Sequence, residues 1–401
     1  MRLTDLSIHV VAPPAPGWGG RWWALVKLTA SDGTTGWGEC YAGAVGPAAL
    51  RAVIEDVFAR HMEGASPFDT ELMFRRAYSS GFTQRPDPTV IGAFSGLEIA
   101  CWDIVGKALG RPVWQLIGGR TTEAVRAYTY LYPDDPSDVG FYADPDRSAE
   151  AAAAAVAEGW TAVKFDPAGP YTIRGGHMPA AADVARCAAF CAAIREAVGE
   201  DADLLFGTHG QFTPAGALRV AEAIAPYDPL WFEEPVPPDD PAGMARVIAG
   251  TRIPVSAGER LATKAEFAPL LAAGLAVAQP ALGRVGGIGE GRKIAAIAEA
   301  AGALVAPHLY AGPVEWAASL HLCTAIPNVL MAETIDTDFH RALIGDLIAV
   351  EDGHVRLGDA PGLGIEVDEA LLADHAHDGE RLPLEMSEAP PDPRGRGIAL
   401  G

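Results

Sequence analysis

The chain is poor in basic residues: 30 lysines and arginines stand against 52 aspartates and glutamates, and the formal net charge is −22 at pH 7. Phosphate backbones bind to basic surfaces, so this charge argues against nucleic acid as a partner. A negative surface also attracts divalent cations, although net charge by itself locates no site.

Cysteine is scarce as well, and the five residues include no CxxC pair. Cys187 and Cys191 lie one helical turn apart, a spacing that favours packing over a redox pair. The N-terminal stretch MRLTDLSIHVVAPPAP is short, charged and interrupted by prolines, which fits neither a signal peptide nor a membrane span. We therefore expect a cytoplasmic protein without a membrane partner.

Residues 1–124 are predicted to form an α+β domain. The stretches RLTDLSIHVV, WWALVKLTA and SDGTTGWGEC have strand character, and a Pro/Gly-rich loop joins the first two. From about Ala48 to Leu116 the apolar spacing becomes helical. Within GAFSGLEIACWDIVGKALG, the helix is expected to stop at Gly110.

Residues 125–339 alternate short apolar runs with alanine-rich helical stretches. The eight strand candidates are VRAYTYL, TAVKFD, DADLLFG, PLWFEE, IPVSAGE, LAVAQP, ALVAPH and NVLMAE. Strand–helix alternation with short buried strands predicts an α/β fold with a parallel sheet, and eight such units favour a closed TIM-like barrel. An open doubly wound sheet is the alternative on pattern alone.

Residues 340–401 return to strand-and-turn character in LIAVEDGHVRLGDAPGLGIEV, and SEAPPDPRGRGIAL is typical of a flexible tail. Earlier in the chain, GRVGGIGEGRK suggests a dinucleotide-binding loop. A GxGxxG frame that starts at Gly287, however, meets Arg292 in place of the third glycine. A tight turn that opens a helix is the better interpretation.

Charged or imidazole side chains follow most of the predicted strands. In a parallel barrel the carboxyl ends of the strands meet at one face, where the chemistry lies. In chain order these residues are Lys164, Asp166, His209, Glu233, Glu234, Glu259, Gln279, His308 and Glu333. Isolated buried carboxylates are costly, so several that converge need a cation or shared protons. Two carboxylates with a third donor and waters suit a hard ion such as Mg²⁺.

Simpler interpretations stay open for several of these residues. Ion pairing alone would account for Glu234, for Glu259 with Arg260 or Lys264, and for Asp166 with Lys164. Glu233 could be a solvated loop residue, and His308 could be a core histidine with its hydrogen bonds satisfied.

The motifs together resemble the enolase superfamily. They are SGLEIACWDIVGKALGRPVWQLIGG, VKFD, LWFEEPV, VSAGERL, QPALGRVGGIGEGRKIAAIAEAAG, APHLYAGP and LMAET, and they run nearly from end to end. Within the superfamily the chain looks like the mandelate racemase subgroup, on the acid-sugar dehydratase side, similar to galactonate dehydratases. The resemblance implies a modified (β/α)7β barrel under an α+β cap built from both chain ends.

The resemblance also implies a Mg²⁺ ion that binds the substrate carboxylate and stabilises the enediolate formed when the α-proton leaves. By position, the family pattern gives metal ligation to Glu233 and Glu259, base roles to Lys164 and His308, and contact with the substrate carboxylate to the catalytic Glu333. Asp166 and the cap residues Trp18 and Arg21, from the loop 17–21 that closes over the substrate, are expected to bind substrate. A base at Lys164 must be neutral part of the time, and we expect burial near the metal to depress its pKa.

Two positions depart from the family pattern. The aspartate expected as first metal ligand is Gly207, and the aspartate that orients the seventh-strand histidine is Ala281. His209 lies two residues after the lost ligand, where galactonate and mannonate dehydratases have a histidine that acts as general acid. Strand alternation would put His209 on the face that Gly207 leaves open. We therefore predict His209 as a metal ligand, which would favour Mn²⁺, with a general acid or a structural role as alternatives.

These features predict a divalent-metal-dependent lyase, expected to be a homo-oligomer, that dehydrates a small sugar acid (aldonate or aldarate) to a 2-keto-3-deoxy acid. A racemase, epimerase or cycloisomerase that uses the same enediolate is the alternative among enzymes. A non-catalytic relative that binds acid sugars is the alternative from another class, and Gly207 and Ala281 are its support.

Overall fold

The computed structural model describes residues 1–41, 43–169, 171–345, 347, 349–379 and 386–388. Its N-terminal part contains a three-stranded antiparallel sheet in the order β1–β2–β3. The strands are β1 (Leu3–Val11), β2 (Trp23–Ala30) and β3 (Thr35–Cys40). Together with the helices that follow, this sheet forms the cap.

The cap helices are α1 (Pro47–His61), α2 (Thr70–Tyr78), α3 (Pro88–Leu109) and α4 (Val113–Ile117). Helix α3 begins after Asp87, whose carboxylate accepts hydrogen bonds from two helix amides, and ends at Gly110, which has a left-handed φ of 62°. It lies directly on β3, because a Cβ atom on Gly38 would be 1.8 Å from the Gly96 carbonyl oxygen. Although α3 is long and apolar enough to cross a membrane, 83% of its most apolar window is buried inside the protein, as in a core helix.

Eight parallel strands form the barrel, one at each predicted position. They are β4 (Val125–Tyr130), β5 (Ala162–Phe165), β6 (Asp203–Phe206), β7 (Trp231–Glu233), β8 (Val255–Ala257), β9 (Val277–Ala278), β10 (Leu304–Val305) and β11 (Ala332–Thr334). They pair in the order β10–β9–β8–β7–β6–β5–β4–β11. The ring closes where Val305 forms two backbone hydrogen bonds of 2.8 Å, with Asn328 and Leu330. The predicted barrel is confirmed, and the open doubly wound alternative is wrong.

Helices connect the barrel strands in sequence, which gives seven strand–helix units and a final strand. They are α5 (Pro145–Ala157), α6 (Ala181–Val198), α7 (Pro214–Ile224), α8 (Pro241–Gly250), α9 (Thr263–Ala272), α10 (Leu282–Val285), α11 (Gly287–Ala300) and α12 (Pro313–Ala325). Helix α11 follows Gly286, which has a φ of 114°. The amides of Ile288 and Gly289 donate to the Glu98 carboxylate of α3 at 2.8 and 2.9 Å. The glycine-rich stretch is therefore a turn that opens a helix, and its amides hold a carboxylate of the cap.

An apolar cluster fills the interior of the barrel. Its members come from seven of the eight strands or their flanks: Tyr128, Ala162, Leu205, Trp231, Val277, Ala306 and Met331. The rings of Tyr128 and Trp231 meet edge to face, with centroids 5.4 Å apart. Because this layer is packed with side chains, the polar residues of the strands gather at the carboxyl ends.

The C-terminal part runs back to the cap. It contains α13 (Asp338–Ile344), β12 (His354–Val355) and α14 (Glu369–Asp374). Strand β12 pairs with β4, and the amide of His377 donates to the Val10 carbonyl of β1 at 2.9 Å. Of the described residues in the stretch 347–367, which we expected to have strand character, only the two of β12 form a strand. The predicted flexible tail, residues 387–400, lies outside the described residues except for Ser387 and Glu388.

Candidate active site

The carboxyl end of the barrel brings the predicted strand-end side chains together. The following are at most 7% exposed: Lys164, Asp166, Glu233, Glu234, Glu259, Gln279, His308 and Glu333. The His209 side chain, by contrast, keeps 40% of its surface exposed. The interpretation of Glu233 as a solvated loop residue is therefore wrong, whereas the side chain of His209 is partly open to solvent.

Lys164 lies between two carboxylates. Its Nζ is 2.6 Å from Glu233 Oε1 and 3.1 Å from Glu333 Oε1. Burial by itself would lower the pKa of Lys164, but the charges of Glu233 and Glu333 raise that pKa well above its ordinary value. Two adjacent carboxylates stabilise the ammonium here, and the depressed pKa that we expected beside a bound Mg²⁺ stays a prediction.

A second hydrogen bond fixes each of these carboxylates. Gln279 Nε2 donates to Glu233 Oε2 at 2.7 Å, and the Leu309 amide donates to Glu333 Oε2 at 2.8 Å. Charge-assisted bonds of this length hold a carboxylate in one orientation. Both groups therefore have a defined position at the end of the barrel.

His308 lies beside the same carboxylates. Its Nε2 is 3.4 Å from Glu259 Oε2 and 4.0 Å from Glu333 Oε2, and its Nδ1 is buried without a hydrogen-bond partner among the described residues. Ala281, three residues after the sixth strand, is buried, and its methyl side chain offers no acceptor in place of the usual aspartate. Burial lowers the pKa of His308 to about 4, so the imidazole is neutral at pH 7.

His209 forms a close pair with Asp166. Its Nδ1 is 2.5 Å from Asp166 Oδ2. The Tyr171 hydroxyl donates to the same oxygen, and the Tyr171 ring meets the imidazole edge to face with centroids 5.3 Å apart. Removal from water would lower the pKa of His209, but Asp166 raises that pKa to about 9, so the imidazole is protonated at pH 7. The ion-pair partner of Asp166 is thus His209, and the simpler interpretation that Asp166 pairs with Lys164 is wrong.

The backbone around His209 is not a continuation of strand β6, which ends at Phe206. His209 has a φ of 45° and Glu234, after the next strand, a φ of 43°. The Thr208 hydroxyl and the Gly210 amide both donate to the Glu234 carbonyl, at 2.6 and 2.7 Å. Strand alternation therefore does not set the direction of His209. Left-handed residues of this kind cost roughly 1–2 kcal/mol and often lie at functional sites.

Glu234 forms the supporting ion pair that its position suggested. Arg260 Nε donates to Glu234 Oε2 at 2.7 Å, whereas the nearest contact of Arg260 to Glu259 is 3.9 Å. Burial, together with the charge of Glu259, raises the pKa of Glu234 to about 7. Arg260 thus pairs mainly with Glu234, and pairing with Arg260 does not explain the presence of a carboxylate at Glu259.

The cap reaches the barrel through Trp18. Its ring stacks on Tyr132, with centroids 4.1 Å apart, and Tyr132 lies 4.8 Å from the ring of Tyr130 at the end of β4. Arg21 is exposed on the same cap loop. The aromatic end of β4 was not among the predicted strand-end site residues, which were charged, imidazole or amide side chains, although the alternate tyrosines in VRAYTYLY were a usable signal. Tyr171, in a loop after β5, carried no such signal.

The buried carboxylates at the strand ends are the candidate donors for a divalent ion. Within the described part of the chain, no three His, Cys, Asp or Glu side chains form a complete metal-binding group. Among the strand-end groups, five buried carboxylates nevertheless face only three cationic partners. The carboxylates are Asp166, Glu233, Glu234, Glu259 and Glu333. The cationic partners are Lys164, His209 and Arg260. This excess of negative charge suits a divalent cation with oxygen ligands. A Cβ atom on Gly207 would have its nearest contact at 3.5 Å, so crowding does not require glycine there.

A capped (β/α)7β barrel with carboxylates, a lysine and two histidines at the carboxyl ends of its strands defines a class of barrel enzymes. The chain belongs to the enolase superfamily. Residues 19–118 match the mandelate racemase / muconate lactonizing enzyme N-terminal domain, and residues 147–371 match the enolase C-terminal domain-like family.

Two relatives of similar length are named as dehydratases. The chain is 32% identical over 387 residues to the D-gluconate/D-galactonate dehydratase of Picrophilus torridus, an alignment that covers 94% of this chain and 95% of that protein. It is also 32% identical over 390 residues to the D-galactonate dehydratase of Ralstonia nicotianae, with 94% of each chain covered.

Two solved structures have nearly the same fold. A mandelate racemase/muconate lactonizing enzyme-like protein from Roseovarius sp. is 64% identical, with a TM-score of 0.95, and covers 97% of this chain and 99% of its own. A mandelate racemase/muconate lactonizing enzyme from Sulfitobacter sp. has the same identity, TM-score and coverage.

Proposed function

We propose that the protein is a hydro-lyase that dehydrates a sugar acid to a 2-keto-3-deoxy acid. Its similarity to D-galactonate dehydratases over 94% of the chain supports the substrate class. The observation that carries the reaction type is the presence of two imidazoles, His209 and His308, beside one cluster of carboxylates. Loss of a β-hydroxyl needs a base for the α-proton and an acid for the leaving oxygen, and two imidazoles in different surroundings can supply both.

The proposed cofactor is Mg²⁺, with Mn²⁺ as a substitute, held by Glu233 and Glu259. Carboxylate oxygens are the ligands that Mg²⁺ prefers. When bound, the ion supplies positive charge for the negative charge that develops on the substrate carboxylate. Lys164 neutralises Glu233 and Glu333 and is suited to bind the same substrate carboxylate.

We assign to His209 the role of the general acid that protonates the leaving hydroxyl. Its Nδ1 is engaged by Asp166, which leaves Nε2 to donate a proton, and its side chain is partly open to solvent. A carboxylate on one ring nitrogen fixes the orientation and tautomer of the ring. This assignment replaces the ligand role that strand alternation had favoured for His209.

We assign to His308, in preference to Lys164, the role of the base that removes the α-proton. The ammonium of Lys164 is held by two carboxylates, whereas His308 lies 3.4 Å from Glu259 and has an unpaired Nδ1 among the described residues. Trp18 and Arg21 are proposed to close over the distal part of the substrate. A cytoplasmic location and a homo-oligomeric state stay predictions from the sequence.

The test is incubation with a library of aldonate and aldarate acids in deuterated water. Formation of a 2-keto acid supports the proposal. Exchange of the α-proton or isomerisation without a keto acid would favour the racemase, epimerase or cycloisomerase alternative. Neither reaction with any acid would favour a non-catalytic binder. A His308→Asn variant purified in the same way controls for contaminating enzymes.

A further inference from the structure

The segment that carries Tyr171 is held on both sides by backbone hydrogen bonds. On one side the amide of His177 donates to the Gln211 carbonyl at 2.9 Å, which ties the segment to the loop of His209. On the other side the amide of Ser387 donates to the Tyr171 carbonyl at 2.9 Å, and the amide of Ile173 donates to the Ser387 carbonyl at 3.1 Å. Tyr171 thus lies between the His209 loop and residues 386–388.

Side chains reinforce both contacts. The Arg174 guanidinium donates to the Glu388 carbonyl at 3.2 and 3.0 Å. Gln211 Nε2 donates to the His209 carbonyl at 3.1 Å, and its Oε1 accepts from the Thr172 amide at 3.3 Å. The contacts therefore form a continuous chain from residues 386–388, through the Tyr171 segment, to His209.

Tyr171 limits the orientation of both members of the His209–Asp166 pair. The Ala168 amide holds Asp166 Oδ1 at 2.8 Å, and the Tyr171 hydroxyl donates to Oδ2, the oxygen that bonds His209. The edge-to-face ring contact restricts rotation of the imidazole. A proton donor that is fixed in this way needs less reorganisation when the substrate binds.

We propose that Tyr171 is a positioning residue for the His209–Asp166 pair and that C-terminal residues 386–388 hold Tyr171 in place. The proposal rests on the proposed role of His209 in proton transfer. It makes a segment from the far end of the chain a support of the active site.

The first test is a proton NMR spectrum of the full chain without substrate. The Nδ1 proton of His209, bonded to a carboxylate, should give a downfield signal that is lost in His209→Asn. We expect Tyr171→Phe to shift or broaden this signal. We expect the same of Ser387→Pro, because proline removes the amide that donates to Tyr171. Ser387→Ala keeps that amide and is the matched control, expected to leave the signal unchanged.

The second test is kinetic. With the sugar acid found by the library screen, Tyr171→Phe should lower kcat about 10- to 100-fold and change KM much less, because orientation is lost rather than binding. Ser387→Pro should lower kcat about fivefold, the effect of about one hydrogen bond, and Ser387→Ala should not lower it. If Ser387→Pro does not fold by circular dichroism, Arg174→Ala weakens the same contact at an exposed position and replaces it.

An unchanged His209 signal in Tyr171→Phe would overturn the positioning role, and an unchanged signal in both Ser387→Pro and Arg174→Ala would overturn the role of residues 386–388. If the screen finds no dehydration in the unmodified protein, the proposed function fails. The NMR comparison still decides the positioning proposal in that case, because it needs no substrate.

Discussion

Lys164 and Glu233 form a buried ion pair, with 2.6 Å between Nζ and Oε1. The lysine is one of the two bases implied by the family resemblance, and the glutamate is a proposed ligand of the metal. A divalent ion held by Glu233 would share that carboxylate with an ammonium group, and the two cations would stabilise the same buried negative charge.

Lys164→Met should lower the free energy of unfolding by about 3 kcal/mol, because two buried carboxylates lose their cation. Mg²⁺ should restore part of this loss by binding to Glu233. Urea unfolding with and without Mg²⁺ measures both effects. Lys107→Met, which breaks the pair of Lys107 with the buried Asp103 in the cap, is the control and should show no dependence on Mg²⁺. A loss in Lys164→Met that Mg²⁺ does not change would speak against a metal site at Glu233.

Glu233→Gln and Glu259→Gln should each weaken Mg²⁺ binding about 100-fold or more, since each removes a charged oxygen ligand. Titration calorimetry measures the affinity. Glu234→Gln is the matched control, because the carboxylate of Glu234 is taken up by Arg260. Unchanged affinity in both of the first two variants would defeat the ligand assignment.

His308→Asn should reduce exchange of the substrate α-proton with deuterated water about 100-fold or more, the usual contribution of a general base. Lys164→Met, measured with saturating Mg²⁺, should retain part of the exchange. The opposite result, with exchange lost only in Lys164→Met, would give the role of base to Lys164. Proton NMR of the recovered substrate measures the deuterium content.

His209→Asn should keep its affinity for Mg²⁺ and still exchange the α-proton, but should fail to expel the hydroxyl, because it lacks the acid. Calorimetry and the keto-acid assay separate these properties. If His209→Asn instead loses both metal affinity and activity, and adding Gly207→Asp to the same chain partly restores them, His209 is a metal ligand. A Cβ atom on Gly207 would meet Asp166 at 3.5 Å, an ordinary van der Waals distance, so the backbone there can accept a side chain.

Glu315→Gln should flatten the pH dependence of stability. Burial, with the nearby Glu39, raises the pKa of Glu315 to about 8. The native protein therefore keeps a proton that the unfolded chain releases, and stability falls as the pH rises from about 4.5 to about 8. Between pH 5 and 8, the free energy of unfolding should fall by roughly 3 kcal/mol less in the variant than in the unmodified protein, as measured by urea unfolding. Glu299→Gln, on the exposed side of α11, is the control and should keep the pH dependence of stability of the unmodified protein. An unchanged pH dependence in Glu315→Gln would contradict the raised pKa of Glu315.

The sequence predicted which residues gather at the barrel end but not which of them pair. Parallel strands bring their carboxyl ends together whatever the side chains are, so the gathering of Glu233, Glu259 and His308 followed from strand positions alone. The pairing of His209 with Asp166 depends on a left-handed turn after strand β6, which no local pattern indicated. Contacts between distant segments, such as that of Tyr171 with Ser387, likewise depend on how loops pack.

The carboxylate of Glu98 contacts the barrel, although its helix α3 belongs to the cap. It occupies the amides that open helix α11, between the sixth and seventh barrel strands. A barrel produced without its cap would leave those amides without their acceptor, and in a cap produced alone Glu98 would keep the Trp102 indole as a donor but lose both helix amides. The two sequence-defined halves are therefore expected to melt in a single cooperative transition. Exchanging the cap for that of a relative should succeed only when the incoming helix brings a carboxylate to the same point.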